Sequence, residues 1–228
     1  KRVFNGEHGY FKLIENDNFD TRYLQDNIGK VWMVNQLAHK PYPSGRLTHG
    51  LVHAIRDLKS KHSLNKDDII SIECLVPPGV YKLVARPLID NLTTNYAKLC
   101  AKFVGASYMI NGHLDIDSFT DQKYLTNPET LEFARKITMI KNENLDQKVL
   151  TPQKFTVKLT NNKTLEINLD HVYGHPKAAL SESEYIDKFH KCCLSSTKKI
   201  PKNKIDQMID FILDLENKKN VIDFFKII

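Results

Sequence analysis

The densest run of reactive side chains is HKPYPSGRLTH, residues 39–49, with His53 one helical turn further on. Pro41, Pro43 and Gly45 restrict the backbone to a loop just ahead of a helix. A helix N-terminus offers free N–H groups and the positive end of the peptide dipole, which suits a carboxylate or a phosphate. Lys40, Arg46 and His49 could converge on such an anion. Lys40 could serve as an acid or base if cationic neighbours lowered its pKa. Two other readings of the same residues stand beside this one. The loop could be a Pro-rich turn with solvated charges, or His49 and His53 at i,i+4 could hold a metal, although no HExxH glutamate follows. His171 and His175 share the four-residue spacing, but Gly174 and Pro176 break any helix and place them in a loop.

Helices and strands must position this loop. From Thr48 the residues Leu51, Ile55 and Leu58 fall on one helical stripe, with Thr48 as a possible N-cap. At about 100° per residue, His49, His53 and Arg56 point away from that stripe and are not simply core residues. Residues 70–76 alternate as a strand, and PPG, residues 77–79, ends it. A helix over 91–111 is predicted from the spacing of Leu92, Tyr96, Leu99, Phe103, Ala106 and Ile110, with Gly112 as its cap. A short helix over 128–136 and a strand over 137–140 follow. Alternating residues on both sides of NNK, residues 161–163, predict a hairpin over 155–169. Ser181 with Glu184 forms a capping box that opens a helix to about 194. Pro201 starts a last helix with Ile205, Met208, Ile209, Ile212 and Leu215 inward. The first thirty residues read as a loop-rich stretch with little core, and a strand is expected from Gly29 through Val34. The fold class is α+β.

The composition fits a folded globular protein, 41% hydrophobic and 9% aromatic, with no apolar run long enough to span a bilayer. The opening KRVFNGEHGYF lacks a signal-peptide core. The net charge of +6 comes from scattered lysines matched by 27 acidic residues, without a nucleic-acid-binding signature. Neither a nucleic acid nor a membrane is therefore expected as a partner. Cys74, Cys100, Cys192 and Cys193 form no CxxC pair, which suggests reduced thiols and a cytoplasmic location.

Residues 40–49, KPYPSGRLTH, resemble the K-x-Y-P-x-C/H-x-x-x-H loop of the MmgE/PrpD family, which includes 2-methylcitrate dehydratase, cis-aconitate decarboxylase and iminodisuccinate epimerase. In the same order, AKLCAKF (97–103) resembles the family's A-K-F-S-x-P/Q-Y segment, Asn111-Gly112 its Asp-Gly helix end, and Ser118-Phe119 follows at the expected distance. YGHPKAALSESEYIDKF (173–189) resembles G-x-x-x-x-P-L-S-x-x-x-x-x-x-K-F, and FNGEHGYF (4–11) its E-G-x-x-G-F-F stretch.

The resemblance implies an α/β lid domain over residues 30–180, and helices over 181–228 that return to an all-helical domain. Residues 1–29 would be a remnant of that domain and its linker. It implies a homodimeric lyase that removes a proton next to a carboxylate of a small di- or tricarboxylate, with no cofactor and no metal. Lys40 matches the family's active-site lysine, the one catalytic position carried over. Arg46 and His49 are expected to bind substrate, although the trailing histidine can equally be structural. Gly45 stands where the family has Cys or a catalytic His, and Phe103 where it has an active-site Tyr. An Asp, a His and a further Lys of the family's helical domain have no counterpart here. An inactive remnant, acting through oligomerisation or carboxylate binding, is the alternative that these departures favour.

Overall fold

A computed structural model describes residues 2–16 and 18–227, and the chain divides into two compact units, residues 1–37 and 38–228. In the first unit, α1 (Arg2–Asn5), α2 (Tyr10–Glu15) and α3 (Thr21–Asn27) are short. Its packing centres on Phe11, whose ring stacks on Phe19 at 3.8 Å and meets Phe4 at 5.8 Å. The expected strand from Gly29 is not formed. Gly29 takes a left-handed φ of 73° and Met33–Gln36 form a 3-10 turn. Trp32, Met33 and Val34 are exposed, and among the described residues they pair with no strand.

The second unit is α+β, as the sequence predicts. After α4 (His49–Lys61), β1 (Ile69–Val76) enters the sheet. The chain then runs through α5 (Pro78–Val84), α6 (Thr94–Ala97), α7 (Ala101–Asn111), α8 (Asp117–Thr120), α9 (Gln122–Leu125) and α10 (Pro128–Arg135) to β2 (Ile137–Lys141). The hairpin β3 (Gln153–Leu159) and β4 (Thr164–Leu169) follows, then α11 (Glu182–Leu194) and α12 (Lys202–Leu213). The sheet order is β2-β1-β3-β4, with β2 parallel to β1 and the other pairs antiparallel.

One side of the sheet carries Ile69, Ile72, Cys74, Val76, Phe155 and Val157, all at most 1% exposed, and packs with α4, α7 and α10. Burying each of these larger side chains contributes about 1.5–3 kcal/mol. The alternate positions are mixed, Leu75 and Ile140 among polar residues, and Lys154 and Glu166 pair there at 2.7 Å. The hairpin turns through Asn162 at φ 63°. The capping box is present: Ser181 Oγ accepts from the Glu184 N–H, and the Glu184 carboxylate accepts from the Ser181 N–H. The cysteines are free.

Three local expectations are corrected. The helix over 91–111 is broken: Cys100 is extended (φ −94°, ψ 98°) and bridges Ala85, so α6 stops and α7 starts anew. Thr48 does not cap α4 through its side chain, because its hydroxyl is turned back to the Gly45 carbonyl. The last helix ends at Leu213: Ile205 and Met208 are buried in it, but Ile212 is 49% exposed, and Leu215, in the 3-10 turn that follows, is 42% exposed. The small cluster that Ile205 and Met208 share with Cys193 does not extend far enough to cover them.

Candidate functional site

The loop before α4 is fixed by its backbone. The His39 N–H donates to Gly174 O at 2.8 Å, the Gly45 N–H donates to Lys98 O at 2.9 Å, and the Lys188 ammonium donates to Lys40 O. Each anchor needs a particular residue or break elsewhere. Gly174 has φ +90°, and a Cβ there would lie 2.1 Å from His39 O, so only glycine permits this approach. A continuous helix through residue 98 would give the Lys98 carbonyl to the Lys102 N–H; the break at Cys100 leaves it for Gly45. At Gly45 a Cβ would meet Leu99 Cδ2 at 2.5 Å. A side chain at this position, where the resemblance expects Cys or His, would have to displace the end of the Leu99 side chain.

His49 is fully buried, contrary to its expected place away from the core. The stripe argument fails because α4 is covered twice: Leu51, Ile55 and Leu58 meet the sheet core, while Val52 belongs to a second cluster with Phe103 and Phe119. The Tyr42 ring lies edge-on to His49 at 5.4 Å. A chain of hydrogen bonds fixes the histidine's proton. Thr48 Oγ1 donates its only proton to Gly45 O at 2.8 Å. Ser44 Oγ must then donate in its 3.0 Å contact with Thr48, which leaves it to accept from His49 Nε2 at 3.1 Å. The ring is neutral with Nε2–H, and Nδ1 is a buried lone pair with no hydrogen-bond partner. Burial first, then the charges of Arg46 and Lys40, lowers the His49 pKa to about 3.

Arg46 is half-buried and grips the chain beyond the hairpin, its two terminal nitrogens donating to Tyr173 O (3.0 Å) and Val172 O (3.1 Å). His53 Nδ1 accepts from the Tyr173 N–H at 3.1 Å, so the His49 and His53 nitrogens serve different partners. Burial holds His53 below its ordinary pKa. Among the described residues no three His, Cys, Asp or Glu side chains are grouped to hold a metal ion. The His171 and His175 rings stack at 4.5 Å in the loop expected for them. Arg56 lies 4.2 Å over the Tyr173 ring and pairs with Glu184 at 3.0 Å. Burial acts to raise the Glu184 carboxyl, but the nearby Tyr173 hydroxyl, the hydrogen bonds from Ser181 and the charge of Arg56 together hold it below its usual value.

Of the three residues expected to meet a substrate, only Lys40 is exposed, and among the described residues its ammonium has no partner. Arg46 and His49 lie behind it as the loop's interior. A cavity of about 590 Å³ opens directly after Lys40, walled by Pro41, Tyr42, Arg56, Tyr108, Tyr173 and Lys188. That volume lies within the range of small-molecule sites. The aromatic wall and Lys188 were not singled out from the sequence, because Tyr42, Tyr108, Tyr173 and Lys188 are brought together only by folding. The K-F pair at 188–189 was the one signal for Lys188. Phe103 is fully buried in the second cluster and stands away from the cavity wall.

Residues 42–212, about three quarters of the chain, match the family model of the MmgE/PrpD C-terminal domain. The chain belongs to the MmgE/PrpD family. A comparison with curated proteins returns no match. Membership supports a dehydratase-like or lyase-like role. The match opens at Tyr42, two residues after Lys40, and takes in the cavity wall except Pro41, the hairpin, α11 and all but the last residue of α12. No described helix is long and apolar enough to cross a membrane.

Proposed function

We propose that this MmgE/PrpD chain is part of a cofactor-independent lyase that acts on a small di- or tricarboxylate of the 2-methylcitrate or cis-aconitate type. In this reading either a proton is removed from the carbon next to a carboxylate and hydroxide leaves from the adjacent carbon, or carbon dioxide leaves and the electron pair it leaves behind takes up a proton. Lys40 is the residue that meets the substrate. Arg46 and His49 act from beneath: Arg46 fixes the loop to residues 172–173, and neutral His49 holds Ser44 and Thr48 in one hydrogen-bonded arrangement. The observation that carries the reading is the unpartnered Lys40 ammonium on a backbone anchored at residues 39, 40 and 45, beside the cavity. An uncompensated cation on an anchored backbone suits a carboxylate because no ion pair has to be broken before binding. The same reading includes a cytoplasmic location and a homodimer, the dimer supported by Leu194, Leu213 and Phe225, which are 61%, 59% and 70% exposed.

A second reading, carboxylate binding without turnover, is favoured by one specific observation. Gly45 and Phe103 occupy two family active-site positions, and the first has no side chain while the second is sealed in the core. Calorimetric titration with cis-aconitate and 2-methylcitrate tests both readings. Binding that falls about tenfold or more in Lys40→Ala supports Lys40 as the carboxylate contact. Equal binding by the variant refutes it. Product formation that depends on Lys40 separates the lyase from the binding protein.

A further inference from the structure

We propose that Lys188 is a second carboxylate-binding residue, which makes the cavity beside Lys40 selective for ligands with more than one carboxylate. The inference rests on the proposed carboxylate function and names the residue that would read the far end of the ligand. The argument begins with the cations on the cavity wall. Arg56 is paired with Glu184 at 3.0 Å and stacked on Tyr173. Lys191 is paired with Asp115 at 3.3 Å, and His113 faces the same carboxylate at 3.9 Å. Lys188 differs. Among the described residues its ammonium has one hydrogen-bond partner, the neutral carbonyl of Lys40. A carbonyl satisfies one of three N–H donors and cancels none of the charge.

That hydrogen bond also fixes where the charge sits. The Lys188 ammonium, on the cavity wall, is bound to the backbone of the residue whose own side chain is the proposed substrate contact, and both charges act on His49. Its field reaches the loop interior, where it is one of the charges that disfavour protonation of His49. Two neighbouring cations repel when empty and are both satisfied by two carboxylates on one short carbon chain. Asp187 and Asp117 also line the cavity and oppose any anion. The cavity is therefore no general anion trap, and removing Asp187 should strengthen binding.

The test is calorimetric titration of the full chain at low ionic strength with propane-1,2,3-tricarboxylate and, separately, with propionate. The wild type is expected to prefer the tricarboxylate. Lys188→Gln is expected to lose about tenfold or more of tricarboxylate affinity while propionate affinity stays unchanged, since a charged hydrogen bond is lost only to the longer ligand. Lys188→Arg is expected to restore most of the preference, and Asp187→Asn to tighten tricarboxylate binding. Lys40→Ala is expected to weaken both ligands. If Lys40→Ala weakens binding and Lys188→Gln does not, the second contact is refuted and the first stands. If the wild type binds neither ligand, both are refuted. Should Lys188→Gln fail to fold, unchanged tricarboxylate affinity in Asp187→Asn and in Lys188→Met overturns the proposal without it.

Discussion

Replacing His49 by Gln changes one property of the loop, its ability to titrate, while keeping an N–H donor within reach of Ser44. In the folded chain burial and nearby cations hold the His49 pKa at about 3, against 6.5 when exposed. Between these values the unfolded chain binds a proton that the folded chain refuses, so stability falls as the pH drops. Its contribution is fully present above 6.5 and is lost progressively as the pH falls toward 3. From these two values, lowering the pH from 7 to 5 removes about 2 kcal/mol through His49 alone. That is a large part of an ordinary domain's stability of about 5–15 kcal/mol. Denaturant unfolding of wild type and His49→Gln at pH 7 and pH 5 isolates the effect, because His53, His175 and the carboxylates titrate in both proteins. The wild type should lose about 2 kcal/mol more than the variant over this interval. Equal losses would refute the buried neutral histidine and the hydrogen-bond chain built on it.

Two further outcomes follow from packing at the family's altered positions and at the loop anchor. Phe103→Tyr adds a hydroxyl inside a fully buried cluster, and denaturant midpoints should report a loss of about 1–3 kcal/mol rather than a recovered active-site group. An unchanged midpoint would show that the hydroxyl finds a partner there. Gly174→Ala places a methyl 2.1 Å from His39 O at φ +90°, so a loss of about 1–3 kcal/mol is expected together with faster exchange of the His39 amide. Retained protection of that amide would refute the anchor.

Much of the fold was legible because it depends on neighbours in sequence. The Ser181–Glu184 capping box, the Gly112 helix end at φ 74°, the 153–169 hairpin and the alternating strand at 69–76 each follow from spacing and turn chemistry. The strand expected from Gly29 shows the limit of such reasoning: a short apolar run becomes a strand only when it pairs with another, and Met33–Gln36 close a 3-10 turn instead. The helix break at Cys100 is another non-local decision, made by the bridge to Ala85 and by the demand of Gly45 for the Lys98 carbonyl.

The KPYPSGRLTH loop by itself determined that a cationic, conformationally restricted segment precedes a helix, because prolines, a glycine and the helical stripe act locally. It could not determine which of the loop's cations faces solvent. Helical periodicity gives a side chain's direction around its own axis but not what covers that side, and α4 is covered on two. Tertiary structure therefore decided that His49 is interior, that Arg46 holds residues 172 and 173, and that Lys40 alone stands free. It also brought Lys188, 148 residues away in sequence, onto the Lys40 carbonyl. That pairing follows from the packing of α11 against the loop, which no local pattern around residue 40 encodes.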